Sequence, residues 1–193
     1  MKLVAITGGI GSGKSVVSRI VSVMGYGVYD CDSRARALMT DSDDVRRQLT
    51  EAFGEATYLA DGSLNRQHLS AVAFGDLEAL SRLNAIVHPA TARDMLEWAD
   101  EQSGRGTRAT FVETALLRTS SLDRLVDEVW HVTAPPQVRI DRVMTRSGLT
   151  AQQVEERMAA QATEDAVAPG EQMIVNDNLA AILPQVIKLI NQL

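Results

Sequence analysis

The stretch Gly8-Gly9-Ile10-Gly11-Ser12-Gly13-Lys14-Ser15 limits what this chain can fold into more than any other part of it. It fits the pattern G-x-x-x-x-G-K-S/T, and its flanks give that pattern physical meaning. Before it, the apolar run Leu3-Val4-Ala5-Ile6 predicts a strand buried on both faces. After it, Val16, Val17, Ile20, Val21 and Met24 recur at helical spacing along one side. A glycine loop between a strand and a helix turns successive backbone N–H groups inward around a chain of phosphates, with no Cβ in the way. The helix N-terminus adds partial positive charge at the same place. Lys14 is expected to reach the β- and γ-phosphates and Ser15 to ligate Mg²⁺. Gly8, Gly9, Gly11, Ser12, Gly13, Lys14, Ser15 and Val16 are therefore the candidate nucleotide-binding residues. In the empty loop the lysine is expected to be solvated.

A chain of 193 residues is long enough for one domain, or one domain with an insertion, around a substantial core. Its net charge of −6 argues against a broad nucleic-acid surface, which needs a basic face, and leaves room for a local basic pocket. The single cysteine, Cys31, rules out an internal disulfide and suits a reducing cytoplasm. The first apolar run stops at the glycine loop, too soon for a signal peptide, and no run approaches the length of a membrane span. A cytoplasmic protein acting on a small molecule is expected, with neither nucleic acid nor membrane as partner.

Gly25 reads as the end of the first helix, and Gly27-Val28-Tyr29 as a short second strand running into Asp30-Cys31-Asp32. In open α/β sheets, ligands bind beyond the carboxyl ends of the strands. Asp30 and Asp32, both read as lying at that strand end, are thus candidate functional carboxylates. Beside a phosphate loop such a group has a task, because phosphoryl transfer needs a carboxylate to orient or deprotonate the attacking hydroxyl. Asp43 to Phe53, Asn65 to Phe74, and Asp76 to about Gln102 predict helices, the last kinked or broken at His88 because a proline follows. No strand is expected between Ser33 and Gln102. Thr107 to Glu113 reads as a third strand, Leu122 to Val126 as a short helix, and Val129 to Thr133 as a fourth strand. Pro135-Pro136 then opens a helix carrying Arg139, Arg142 and Arg146, about one turn apart on one face. In a phosphate-binding fold such a row supplies positive charge to a migrating phosphoryl group. Gly148 ends that helix, Thr150 caps the next, Met173 to Val175 is a fifth strand, and Leu179 to Leu193 an amphipathic helix. The alternation implies a parallel α/β sheet.

Several of these segments carry recognisable wording. Thr7 to Ser15 reads T-G-G-I-G-S-G-K-S, Asp30 to Arg36 reads D-C-D-S-R-A-R, and Asp61 to Leu69 reads D-G-S-L-N-R-Q-H-L. Leu83 to Pro89 reads L-N-A-I-V-H-P; Pro135 through Arg142 to Leu149, Arg157 to Gln161, and Met173-Ile174-Val175-Asn176 follow. In this order, and nearly end to end, the chain resembles the bacterial dephospho-coenzyme A kinases, small members of the nucleoside-monophosphate-kinase-like P-loop group. Cys31 stands where that family has alanine. The family's P-L-L-F-E run after the third strand is matched by Ala115-Leu116-Leu117-Arg118-Thr119, which lacks the proline and the glutamate. Thr119 therefore receives no role, while Glu113 stands where many members carry an acid.

The resemblance implies a three-layer α/β/α P-loop kinase fold on a five-stranded parallel sheet of order 2-3-1-4-5. It implies a single domain over 1–193, with a helical CoA-binding subdomain at about 33–103 and a small helical lid at about 136–162. The implied reaction is ATP-dependent phosphorylation of the ribose 3′-hydroxyl of dephospho-CoA, the final step of coenzyme A synthesis, with ATP and Mg²⁺. Asp32, Lys14 and Arg142 would then be catalytic. Asp32 serves as base or orienting group for the hydroxyl, and Arg142 stabilises the γ-phosphoryl from the lid, with Arg146 and Arg139 behind it. Asp30, Arg36, Arg66 and His88 would join Asp32 on the acceptor side, and Asn176 would lie near the adenine. A monomer is expected. Two rival readings are another small nucleoside or nucleotide kinase and a nucleotide-switch module. The switch needs N-K-x-D and D-x-x-G, and neither occurs in the chain.

Overall fold

The computed structural model describes residues 1–73 and 76–193. The strands are β1 (Lys2–Thr7), β2 (Val28–Asp30), β3 (Ala109–Glu113), β4 (Glu128–Thr133) and β5 (Gln172–Val175). The helices of the first half are α1 (Lys14–Val23), α2 (Cys31–Asp41), α3 (Asp43–Phe53), α4 (Arg66–Ala73) and α5 (Leu77–Ser103). Those of the second half are α6 (Pro136–Ser147), α7 (Ala151–Ala160), α8 (Ala162–Asp165) and α9 (Ile182–Ile190). The chain divides into two compact units, one made of Met1–Asp30 with Ala99–Leu193 and the other of Cys31–Trp98.

The first unit is built on a five-stranded sheet of order β2-β3-β1-β4-β5, parallel throughout. This is the order expected of the kinase fold. In β1 the consecutive residues Val4, Ala5 and Ile6 are all fully buried, as a parallel sheet covered on both faces requires. Phe111 of β3 and Trp130 of β4 pack in the core as a tilted pair with centroids 5.0 Å apart, and Tyr26 meets Phe111 edge-on. Val17 and Val21 from α1, and Val186, Leu189 and Ile190 from α9, close over them. α6 and α7 form a smaller cluster of their own through Ile140, Val143 and Val154. Gly148 ends α6 in the left-handed region, and Thr150 with Gln153 forms a reciprocal capping box on α7.

The second unit is helical, with no strand among its described residues beyond an isolated bridge between Tyr58 and Leu64. Val45, Leu49 and Phe53 of α3 bury against Leu69, Ala79 and Ala90. Ser42 caps α3 by accepting from the Val45 amide. The predicted helix end at Phe74 lies outside the described residues.

Four local expectations change. α5 runs unbroken through Pro89. Its neighbours Val87 and Ala90 are both buried, and the Thr91 hydroxyl donates to the Val87 carbonyl, so packing on either side outweighs one missing N–H. Asp32 does not lie on the strand end: β2 stops at Asp30, and Asp32 falls in the first turn of α2, where the helix dipole favours an acid. The segment near Leu122 is a single 3₁₀ turn, Leu122–Arg124. The last helix starts at Ile182 and not at Leu179, because the Asp177 carboxylate accepts from the Leu179 and Ala180 amides and holds a turn there.

Candidate active site

In the first unit, the carboxyl ends of β1, β2 and β3 come level. Glu113 pairs in register with Ile6 on one side and with Asp30 on the other. The glycine loop leaves β1 at that edge, so Asp30 and Glu113 are acids of the strand ends beside it. The loop is packed from outside by backbone and side chains that leave no room for Cβ atoms. Gly13 sits in the left-handed region at φ +99°, and a Cβ there would lie 2.0 Å from Asn176 Nδ2. At Gly8 a Cβ would meet the Val132 carbonyl oxygen at 2.2 Å.

Polar groups hold the loop from three sides. Arg139, although placed on a helix row, is 7% exposed; its Nε donates to the Ile10 carbonyl at 2.8 Å and its Nη1 pairs with Asp165 at 2.9 Å. Arg142 donates to the carbonyls of Gly11 and Ser12 at 3.3 Å each, and to the side-chain oxygens of Asn176 and Asn178. Asn176 is buried and donates to the Ser12 carbonyl at 2.8 Å. The Ile10 amide donates to Gln161 Oε1 at 2.9 Å. Lys14 is not simply solvated: its Nζ turns back on the carbonyls of Gly8 and Gly9, at 2.7 and 3.3 Å. Thr7 Oγ1, Ser12 Oγ and Arg139 Nη2 are buried without a hydrogen-bond partner. Buried polar atoms of this kind call for a ligand or water, and three of them around a glycine loop at a helix N-terminus fit a polyphosphate.

The structure therefore brings together Gly8 to Lys14, Arg142 and Asn176 from the predicted set. Ser15 and Val16 are exposed in the first turn of α1. Arg146 is exposed one turn beyond Arg142 and makes none of the loop bonds. Asp32, Arg36, Arg66 and His88 belong to the second unit, Asp32 and Arg36 on α2, Arg66 at the start of α4 and His88 midway along α5. Among the described residues, no hydrogen bond or ion pair links Arg36, Arg66 and His88 to one another. Burial lowers the His88 pKa, which keeps the ring neutral at pH 7.

The family model for dephospho-CoA kinase matches residues 2–181 of the chain. The chain belongs to the dephospho-CoA kinase family. A dephospho-CoA kinase of Porphyromonas gingivalis is 38% identical over 192 residues, covering 98% of this chain and 93% of that protein. One from Geobacter sulfurreducens is 37% identical over 180 residues, covering 92% and 90%. Among solved structures, a Thermus thermophilus protein superposes with a TM-score of 0.78 at 29% identity, over 99% of this chain and 95% of that one. The Campylobacter jejuni dephospho-CoA kinase superposes with a TM-score of 0.72 at 22% identity, over 98% and 96%, and speaks to the fold alone. As a dephospho-CoA kinase, the chain is a phosphotransferase of the final step of CoA biosynthesis, with ATP as nucleotide substrate. No helix among the described residues is long and apolar enough to cross a membrane.

Sequence reading passed over three of the groups around the loop. Gln161 was visible as the end of R-x-x-x-Q but had no assigned partner. Asn178 and Asp165 carried no signal at all, since neither falls in a motif nor in a periodic pattern.

Proposed function

We propose that the loop from Gly8 to Ser15 holds the triphosphate of ATP and that Asp32 faces the ribose 3′-hydroxyl of dephospho-CoA. The observation behind this assignment is the convergence of Lys14, Arg142 and Asn176 on one short loop that contains buried, unpartnered polar atoms. Phosphoryl transfer asks mainly for alignment and charge neutralisation. Lys14, now on the Gly8 and Gly9 carbonyls, exchanges those neutral acceptors for phosphate oxygens, a stronger charge-assisted contact. Arg142 makes the same exchange and stabilises the γ-phosphoryl as charge spreads over its oxygens. The helices from 136 to 162 act as the lid that carries it, with Arg146 at its exposed face. Asp32 accepts or orients the hydroxyl proton so that oxygen attacks in line. Asp30 supports Asp32 from the end of β2, two residues earlier in the chain. Arg36, Arg66 and His88, on the helical unit of about 33–103, receive the anionic and polar parts of the acceptor. Asn176 lies beside the adenine. A monomeric, cytoplasmic enzyme completes this reading.

Mg²⁺ belongs to the same assignment. The Ser15 hydroxyl is exposed at the second residue of α1, a hard oxygen donor where the ion is wanted. Among the described residues no cluster of three or more His, Cys, Asp or Glu is placed to hold an ion. That suits a cation held chiefly by phosphate oxygens and water. When bound, it offsets phosphate charge and orients the β- and γ-groups.

The test is ADP formation with dephospho-CoA offered beside adenosine, AMP and pantothenate, followed by locating the new phosphate. Phosphorylation at the 3′-hydroxyl of dephospho-CoA, with the others poor, is expected. Preference for another acceptor, or phosphate at another position, overturns the reading.

A further inference from the structure

Away from the loop, the first unit contains a polar knot that the reaction as described does not use. It is centred on Glu164, which is only 2% exposed. Its Oε1 accepts from the Thr119 amide and the Thr119 hydroxyl, both at 2.7 Å, and its Oε2 accepts from the Arg118 amide at 3.1 Å. Arg118 reaches further, donating to the carbonyls of Thr163 and Glu164 and pairing with Glu171. Glu171 also takes the Ala168 amide and the Nδ1 edge of buried His131. A buried carboxylate met by this many donors is satisfied and fixed. What it fixes is the short turn of α8, and the residues at the two ends of that turn, Gln161 before it and Asp165 at its close, reach the phosphate loop, one directly and one through Arg139. Three residues before Glu164, Gln161 accepts the Ile10 amide. One residue after it, Asp165 pairs with Arg139, whose Nε donates to the Ile10 carbonyl. Both backbone polar groups of Ile10, the N–H of one peptide plane and the C=O of the next, are thus held from this segment, the first directly by Gln161 and the second through Arg139, which Asp165 pairs with.

We propose that Glu164, clasped by Arg118 and Thr119, is a positioning residue that sets the Ile10 peptide and with it the shape of the phosphate loop. The run in which the dephospho-CoA kinase pattern has F-E reads Arg118-Thr119 here. The carboxylate lying against this run is supplied instead by Glu164, and Thr119 acquires a role as its double donor. Glu164 touches no substrate. It acts through Gln161 and Asp165, and its effect falls on the nucleotide and not on the acceptor. The inference rests on the reading of Gly8 to Ser15 as the ATP site.

Glu164→Gln preserves shape but turns one oxygen into a donor that opposes the Arg118 or Thr119 amide. The measurements are Mg-ADP affinity by calorimetry without acceptor, the separate KM values for ATP and dephospho-CoA, and hydrogen exchange at the Ile10 amide. Mg-ADP affinity is expected to fall about tenfold, the equivalent of one buried hydrogen bond left unmade. The ATP KM should rise with it, the dephospho-CoA KM should stay unchanged, and the Ile10 amide should exchange faster. A merely structural carboxylate would lower the melting temperature and leave these ratios alone, and that result overturns the proposal. If Glu164→Gln does not fold, Thr119→Val removes only the hydroxyl donor. It should weaken Mg-ADP by a smaller factor, roughly two- to fivefold, and unchanged affinity there also overturns the proposal. Wild-type protein that fails to bind Mg-ADP refutes the loop assignment itself; wild type that binds, with variants binding equally, refutes only the role of Glu164.

Discussion

Replacing Gly13 by alanine tests whether the loop is shaped by close approach or only by chain flexibility. Gly13 adopts φ +99°, and its Cβ would stand 2.0 Å from Asn176 Nδ2. Left-handed backbone costs an alanine roughly 1–2 kcal/mol. Asn176 must also retreat by about 1.5 Å to reach ordinary contact, and it is tied at 2.8 Å to the Ser12 carbonyl and at 2.9 Å to Arg142. Leaving one such buried group unmatched costs about 1–3 kcal/mol. The total of about 2–5 kcal/mol corresponds, at roughly 2–4 °C per kcal/mol for a chain of this size, to a melting temperature lower by about 4–20 °C. Gly106→Ala is the control, because Gly106 has φ +72° with nothing within 4 Å of its Cβ position. It bears the conformational cost alone, about 1–2 kcal/mol. Thermal unfolding of both variants by circular dichroism, with no nucleotide present, isolates the collision as the difference between them. Equal melting temperatures would refute the reasoning, since Asn176 would then not be the wall behind Gly13. The same variant should bind Mg-ADP poorly, because the displaced Asn176 releases the Ser12 carbonyl.

Arg142→Ala should lower kcat by roughly 10²-fold or more with little change in acceptor KM, as expected for charge that acts in the transition state; a pure KM effect would reassign it to ground-state binding. Asp32→Asn should lower kcat strongly and leave ATP affinity nearly untouched, whereas Asp30→Asn should cost less in rate and more in stability or Mg²⁺ dependence. The opposite ranking of kcat would move the base to Asp30. His131 is kept neutral, chiefly by burial with Arg118 adding to it, against the opposing pull of Glu171. Its folded pKa lies below the unfolded value near 6.5, so its contribution is complete above about pH 6.5 and is lost as pH falls. The melting temperature should therefore drop from pH 7 to 5, and His131→Asn should flatten that slope without abolishing it, because His88 is shifted the same way. An unchanged slope would show that His131 does not titrate in this window.

The sheet was legible because its strands are short apolar runs between glycines and prolines, and because the glycine loop fixed which run came first. Strand order itself came from the family resemblance, since periodicity says nothing about which strand lies beside which. Of the kink or break expected at His88, the break did not occur, for a tertiary reason: Val87 and Ala90 are buried on either side of His88-Pro89, and sequence-local proline rules do not see that burial. The phosphate loop and Arg142 were visible as motif and row. Within that row, however, the spacing did not separate Arg139, which is buried against Ile10 and Asp165, from Arg146, which is exposed. Asp165 and Glu164 were invisible, because their partners lie far away in sequence, at Arg139 and at Arg118-Thr119.

The register of β1 bears on how the molecule comes to be assembled. Lys2 has its neighbour in Ala109, and Val4 has its other neighbour in Glu128, so the strand that mounts the glycine loop has no partner until most of the chain exists. Cys31–Trp98, by contrast, is one uninterrupted segment with a core of its own in Val45, Leu49, Phe53 and Leu69. Contacts between residues close in sequence form sooner than distant strand pairings, whose loop closure must come first. During synthesis the helical unit is therefore expected to be ordered while Leu3 to Ile6 is still an apolar strand with open edges, the kind of segment that associates wrongly when crowded. Pulse-labelled hydrogen exchange during refolding should protect the amides of α3 before those of β1. Protection of β1 first would mean that the sheet nucleates across the long gap and the helical unit follows.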